Sequence, residues 1–195
     1  MRNRTIALTS LILLSCFIFS SCSSKLSRSK AKDLIIKEYG FPKPATANLD
    51  YGILVNGDYM VEKFLADKGL LTRTEVGTTE IMGGMNGVKI EVKLTPAGEK
   101  YKVGAGQNQS YPNTPVYYMK CADMTFVDIT GIQEESETSA SVSYTWKYEN
   151  ATPFGEAFAI ENKQNQNGFP IYTDGGPHTE QVSFKKFDDG WRISN

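Results

Sequence analysis

The stretch that decides the fold is residues 139–148, which read SASVSYTWKY. Its even-numbered positions carry apolar or aromatic side chains, and its odd-numbered positions carry serine, threonine or lysine. The even-numbered set is Ala140, Val142, Tyr144, Trp146 and Tyr148. Alternation with a period of two is typical of a β-strand that buries one face and exposes the other to water. We therefore predict a strand here with one strongly aromatic face.

Two further antiparallel pairings are predicted around this strand. Residues 116–132 should pair with it across an acidic turn at residues 134–137. The end of the chain should form a last hairpin, because the turn at residues 188–190 contains Asp-Gly and is followed by Trp191. The second half of the chain is therefore predicted to be an antiparallel β-sheet.

The first half shows helical spacing instead. Helices are expected over residues 29–39, with Ser29 as the N-terminal cap, and over residues 58–68. A β-hairpin should follow, with strands over residues 72–82 and 88–94. We therefore expect an α+β protein in which a helical N-terminal half packs on the antiparallel β-sheet of the C-terminal half.

The boundary between the halves is placed in residues 104–115, which are rich in Gly, Asn, Gln, Ser and Pro and are predicted to form a loop. The expected organisation has a signal peptide, a lipidated tether, a helix-rich subdomain with a β-hairpin and an antiparallel β subdomain. These are residues 1–21, 22–29, 30–103 and 116–195, respectively.

Two distant resemblances follow from these patterns. Residues 57–101 resemble the wing region of winged-helix proteins, on a helix, a Gly-rich turn and the sequence VKLTPAG at 92–98. In that family the preceding helix enters the major groove of DNA, but here its charges balance: Glu62, Lys63, Asp67 and Lys68. We therefore expect a winged-helix-like scaffold without DNA binding. The C-terminal half, which ends in an Asp-Gly-Trp hairpin, resembles cystatin-like or nuclear-transport-factor-like domains.

The N-terminus has the three-part pattern of a secretory signal. Arg2 and Arg4 precede an apolar run over residues 6–19, and small residues follow it. As a helix, this run would rise roughly 21 Å, which is less than the roughly 30 Å hydrocarbon core of a bilayer. Export is therefore favoured over a stable membrane span.

The segment Phe19-Ser20-Ser21-Cys22 resembles the lipobox of bacterial lipoproteins, although that family prefers leucine where Phe19 stands. The resemblance implies cleavage before Cys22, lipidation of Cys22 and anchoring in a membrane. Because serine and not aspartate follows Cys22, it also implies the outer membrane, with the domain facing the periplasm. A rival lipobox ends at Cys16, and secretion with a free Cys22 is a third reading.

Composition narrows the possible partners and bonds. The chain of 195 residues has 21 Lys plus Arg against 22 Asp plus Glu, so it lacks the positive field with which nucleic-acid-binding proteins attract phosphates. If Cys22 is lipidated and Cys16 leaves with the signal peptide, Cys121 stands alone and no intramolecular disulfide is expected.

Catalytic arrangements are poorly supported by the residue types available. A thiol hydrolase would need Cys121 and the single histidine, His178, and we keep it as the alternative function. Zinc sites need more His or Cys ligands than the chain supplies. The carboxylates of the acidic turn are expected to be solvated: Glu134, Glu135 and Glu137. No catalytic, cofactor-binding or metal-binding residue is therefore predicted.

Binding is the favoured function. Three tyrosines, Tyr111, Tyr117 and Tyr118, lie close in sequence to the amides of Gln107 and Asn108. Aromatic rings beside amides can form a surface for a sugar or a peptide. We therefore predict a membrane-anchored, non-catalytic binding module of the bacterial envelope, held by the lipid on Cys22, whose partner is an envelope protein or polysaccharide.

Overall fold

The computed structural model describes residues 25–55, 60–81, 83–108, 114–165 and 170–194. Cys16, Cys22 and Tyr111 lie outside these residues. In chain order, the elements are α1 (Arg28–Tyr39), β1 (Lys43–Asp50), β2 (Gly52–Val55), α2 (Met60–Asp67), β3 (Leu71–Ile81), β4 (Met85–Leu94), α3 (Pro96–Glu99), β5 (Lys102–Gln107), β6 (Pro115–Glu134), β7 (Ser139–Glu149), α4 (Pro153–Asn165), β8 (His178–Phe187) and β9 (Gly190–Ser194).

The main sheet is antiparallel and is organised around β6, a strand of 20 residues. Its order is β1-β6-β7-β8-β9, and β5 also pairs with β6. Met119 of β6 is opposite both Ala47 of β1 and Lys102 of β5, so β1 and β5 lie on opposite edges of β6. The second half of β6 pairs with β7 on the same edge as β5.

The strand predicted from residues 139–148 is confirmed as β7. Its five alternating apolar side chains are all buried: Ala140, Val142, Tyr144, Trp146 and Tyr148. The predicted pairing with residues 116–132 and the final hairpin are also confirmed, as β6–β7 and β8–β9. These strands could be predicted because their apolar side chains are large and strictly alternating.

The helix α1 packs on the sheet and closes the core from one side. Ile35 is fully buried, and the Tyr39 ring stacks on the Tyr144 ring of β7 with centroids 6.1 Å apart. The helix begins earlier than predicted, because its N-terminal cap is Ser27 and not Ser29. The Ser27 Oγ accepts the Lys30 N–H at 3.2 Å. It ends at Gly40, whose φ of 69° is readily adopted by glycine.

The first described residues are held against the sheet. Leu26 is buried in the core, and the Arg28 guanidinium donates a hydrogen bond to the Ile129 carbonyl of β6. Lys25 pairs with Glu134 at 2.9 Å. Residues 25–29 are therefore part of the folded domain, whereas the sequence had placed them in the tether.

A second sheet of three strands has the order β2-β4-β3. The predicted hairpin over residues 72–82 and 88–94 is confirmed as β3–β4, and the helix predicted over residues 58–68 is confirmed over Met60–Asp67, while residues 58 and 59 lie outside the described residues. The helix α4 links the two sheets. It packs on β6 of the main sheet and on α2, which in turn packs on β3 of the second sheet. Its Gly155 lies so close to β6 that a Cβ there would meet the Cys121 carbonyl oxygen at 2.3 Å.

The predicted fold class is wrong. The structure is mostly β, with a curled antiparallel sheet, and the described part of the first half contributes the five strands β1 to β5 as well as helices. The loop predicted over residues 104–115 is also wrong at residues 104–107, which belong to β5. Because β1 and β5 both pair with β6, residues before and after 104–115 share one sheet.

Candidate functional site

The structure separates two of the tyrosines that the sequence grouped. Tyr117 and Tyr118 are neighbours on β6, so their side chains lie on opposite faces of the sheet. The Tyr118 ring covers two glycines of β5, and a Cβ at Gly106 would lie 2.2 Å from the Tyr118 hydroxyl. Tyr118 therefore packs within the sheet.

Tyr117 has a different partner, which the sequence analysis missed. Its ring stacks on the Tyr51 ring with centroids 3.7 Å apart and planes within 1° of parallel. The Lys102 ammonium lies 4.4 Å from the centre of the Tyr117 ring and pairs with Glu99 at 3.1 Å. We call Tyr51, Tyr117 and Lys102 the tyrosine platform.

The sheet register explains how the platform forms. Leu49 at the end of β1 is opposite Tyr117 of β6, and the Tyr51 N–H donates to the Pro115 carbonyl at 3.2 Å. This pairing brings Tyr51 beside Tyr117, although 66 positions separate them in sequence. Among the described residues, no second ring or cation lies over Tyr51. Tyr51 is partly exposed, so part of its side chain is accessible from solvent.

The Lys102–Glu99 ion pair and the Tyr117 hydroxyl are the polar groups of the platform. Burial raises the pKa of the Tyr117 phenol, while the Lys102 ammonium acts in the opposite direction. The phenol is therefore neutral at physiological pH and can both donate and accept hydrogen bonds. The Asp50 carboxylate accepts a hydrogen bond from the Asn108 amide at 3.2 Å, but Asp50 precedes Tyr51, so the alternation along the strand directs it to the opposite face of the sheet. The platform thus combines an aromatic face with a hydroxyl and an ion pair.

The thiol considered for catalysis is enclosed. Cys121 is fully buried in β6, and its Sγ lies 3.5 Å from the Met119 carbonyl oxygen. Burial raises the pKa of this thiol to about 12. A thiol in this state is almost wholly protonated at neutral pH, whereas the nucleophile of a thiol hydrolase is the thiolate.

The histidine considered with it belongs to an aromatic cluster. His178 begins β8 and is opposite Trp146 of β7. The two rings stack with centroids 4.3 Å apart, and the Tyr148 ring lies 5.3 Å from the histidine. His178 therefore contributes an aromatic surface to the packing around β7.

A buried carboxylic acid lies in α2, outside the platform. Glu62 is 6% exposed, and its Oε2 has no hydrogen-bond partner among the described residues. Burial raises its pKa to about 7, the charges of Glu161 and Asp50 act in the same direction, and Arg73 acts against them. This burial was missed in the sequence analysis, because Glu62 was grouped there with Lys63, Asp67 and Lys68 only as helix residues of balanced charge.

Two clefts lie elsewhere on the surface. One, of about 610 Å³, lies between the β6–β7 turn and β9 and is lined by Lys25, Lys186, Glu134 and Trp191 together with residues 135–138. We call it the Lys25 cleft. The acidic turn is part of this lining, so its carboxylates lie at the surface as predicted. The other, of about 410 Å³, lies between α2 and α4 and includes Phe64 and Ile160.

The described residues contain no group of three or more His, Cys, Asp or Glu that could hold a metal ion. None of the described helices has the length and apolar character to cross a lipid bilayer. Comparisons with protein-family models, curated proteins and solved structures gave no match.

Proposed function

We propose that the protein is a lipid-anchored component of the bacterial envelope whose folded part is a non-catalytic binding module. The leader and the Cys22 lipobox support the anchor, and serine after Cys22 supports the outer membrane, with the domain in the periplasm. Lipidation with more than one acyl chain would hold the protein firmly at the membrane.

The single observation that carries the binding function is the parallel stack of Tyr51 on Tyr117. A stacked pair of rings is a rigid flat surface, since each ring restricts rotation of the other. The apolar C–H faces of a sugar ring fit such a surface, and the sugar hydroxyls fit carboxylate, ammonium and hydroxyl groups. Glu99, Lys102 and the Tyr117 hydroxyl provide these groups beside the stacked rings. We therefore propose a saccharide chain of the envelope as the ligand.

The charges around the platform support an uncharged ligand segment over a phosphate. Lys102 is paired with Glu99, so its positive charge is offset by a neighbouring carboxylate. An anionic group that approaches the stacked rings would therefore gain little net attraction. A neutral pyranose does not depend on such attraction.

The thiol-hydrolase alternative has less support. The raised pKa and complete burial of Cys121 disfavour the thiolate and block access of a substrate. His178 packs against the rings of Trp146 and Tyr148, as part of the aromatic cluster around β7. We therefore retain the binding module as the proposed function.

The anchor is tested by labelling cells with an alkyne fatty acid and isolating the protein. Incorporation that is lost in Cys22→Ser supports the proposal. Equal incorporation in the Cys22→Ser variant, or its loss only in Cys16→Ser, would contradict anchoring at Cys22.

Binding is tested by co-sedimentation with purified peptidoglycan sacculi, which are insoluble and rich in saccharide chains. We expect the wild type to sediment with them and Tyr51→Ala to remain in solution. Phe187→Ala is the matched control, because it removes another aromatic ring, half-exposed, from β8. Sedimentation of Tyr51→Ala at the wild-type level would contradict a role for the platform.

A further inference from the structure

The end of the domain nearest to the lipid anchor is fixed by three contacts. Lys25 pairs with Glu134 at 2.9 Å, Leu26 is 4% exposed, and Arg28 donates to the Ile129 carbonyl. The chain therefore enters the folded domain at the Lys25 cleft, where β6 ends.

The chain length between this entry point and Cys22 is short. Lys25 follows Cys22 by three positions. Three residues span at most about 11 Å even when fully extended. A lipid on Cys22 would therefore hold the Lys25 cleft within about one headgroup layer of the membrane surface.

We propose that the Lys25 cleft is the surface that faces the lipid headgroups and that the tyrosine platform lies at the opposite end of the domain. This inference rests on the proposed lipidation of Cys22. Its basis is β6 itself, because Glu134 at one end of this strand pairs with Lys25 and Tyr117 near the other end carries the platform.

The residues of the cleft match a zwitterionic headgroup. Two lysines, Lys25 and Lys186, lie close to the carboxylates of the acidic turn, and Trp191 forms part of the lining. Ammonium groups can pair with a lipid phosphate, and carboxylates can pair with the ammonium of phosphatidylethanolamine. Trp191 is only 8% exposed, so it lines the cleft as part of the core.

The length of β6 limits how far the tyrosine platform can lie from the membrane surface. Seventeen positions separate Tyr117 from Glu134, which is at most about 56 Å for a straight strand. Register shifts near Asp128 and Gly131 bend the strand and shorten this distance. The platform would therefore meet a ligand well outside the bilayer, in the aqueous space.

The two tryptophans of the chain can report its orientation on a membrane, because they lie at different distances from the Lys25 cleft. Trp191 lines the Lys25 cleft, and Trp146 lies six positions along β7 from Ala140, which is opposite Glu134. Six strand residues correspond to about 20 Å. Trp146→Phe leaves Trp191 as the only donor for energy transfer to dansyl-labelled phosphatidylethanolamine, and Trp191→Phe leaves Trp146.

Each variant is prepared in two forms. One form carries its native lipid, and the other is made without lipid and is coupled through the free thiol of Cys22 to a maleimide lipid in the vesicles. We expect at least about twofold higher transfer efficiency from Trp191, given the separation along β7. Equal transfer, or higher transfer from Trp146, would overturn the proposed orientation. If only the maleimide-coupled protein binds vesicles and it shows the expected difference, the orientation holds and the proposed native lipidation fails.

A second measurement covers the case in which a tryptophan variant does not fold. Lysines of the wild-type protein are acetylated on vesicles and in detergent, and the modified residues are identified by mass spectrometry. Lys186 in the cleft should lose modification on vesicles, while Lys93 of β4, which is exposed, should not. Equal modification of Lys186 in both conditions would contradict the proposal.

Discussion

Gly155 of α4 lies directly against the backbone of Cys121 in β6. A Cβ at position 155 would sit 2.3 Å from the Cys121 carbonyl oxygen, and the Thr152 N–H donates to that same oxygen at 2.8 Å. The start of α4 is therefore held on the central strand by backbone contacts that leave no room for a side chain.

This contact predicts that Gly155→Ala is strongly destabilising. Either α4 or β6 must move, and overpacking of this kind costs about 1–3 kcal/mol or more. Urea unfolding should show the loss. Gly175→Ala is the control, because no atom lies within 4 Å of a Cβ built there. An unfolding free energy within about 0.5 kcal/mol of the wild type for Gly155→Ala, the usual range for surface changes, would disagree with this packing.

Cys121 should resist thiol reagents in the folded protein. Its complete burial and a pKa of about 12 leave almost no thiolate at pH 7. In the Cys16→Ser, Cys22→Ser variant, Cys121 is the single thiol, and a chromogenic disulfide should react with it only after denaturant is added. Rapid reaction at pH 7 without denaturant would reopen the thiol-hydrolase alternative.

Glu62 should make the protein less stable as pH rises. Its folded pKa of about 7 lies above the ordinary value of 4.5, so the folded state holds the proton more tightly than the unfolded state. The free energy of unfolding should therefore fall between about pH 4.5 and pH 7 and level off above that range, by up to about 3 kcal/mol from this group.

Glu62→Gln tests this dependence, because glutamine has nearly the same shape and does not titrate. Urea unfolding of both proteins at pH 5 and pH 8 gives the comparison. The advantage of the wild type over the variant should be smaller at pH 8 than at pH 5. The same difference at both pH values would show that Glu62 does not titrate in this range.

The N-terminal edge should depend on Leu26 more than on the ion pair beside it. Lys25 and Glu134 are exposed by 70% and 42%, so solvent screens their attraction and Lys25→Ala should cost little stability. Leu26→Ala removes a buried side chain and should cost about 2–5 kcal/mol. Thermal or urea unfolding of the two variants compares their losses of stability. A larger loss for Lys25→Ala than for Leu26→Ala would contradict the greater role given to Leu26.

The strands that could be predicted are those with large, alternating apolar side chains. β7 shows this pattern in Val142, Tyr144 and Trp146, and the β8–β9 hairpin has an Asp-Gly turn between aromatic residues. In β1, the buried side chains Ala45 and Leu49 alternate with Thr46 and Asn48, but the first is small and the strand begins beside proline, which weakens the signal. β1 was therefore not predicted as a strand in the sequence analysis.

β5 and the platform show a different limit of sequence reasoning. Gly104 and Gly106 suggest a loop, yet they lie in a strand because the Tyr118 ring fills the space above them. Tyr117 was proposed as a ligand-binding residue because of the residues next to it in sequence. Its partner, Tyr51, lies far away in sequence, between β1 and β2. Only the register between β1 and β6 brings these two rings together.

The most direct test of the platform is an NMR titration of the ¹⁵N-labelled protein with a soluble disaccharide–peptide fragment of peptidoglycan. The account predicts saturable shifts of the Tyr51, Lys102 and Tyr117 amides in the wild type and their loss in Tyr51→Ala, while a folded spectrum is retained. Shifts confined to the Lys25 cleft or to the cleft between α2 and α4, or unchanged binding by Tyr51→Ala, would contradict it.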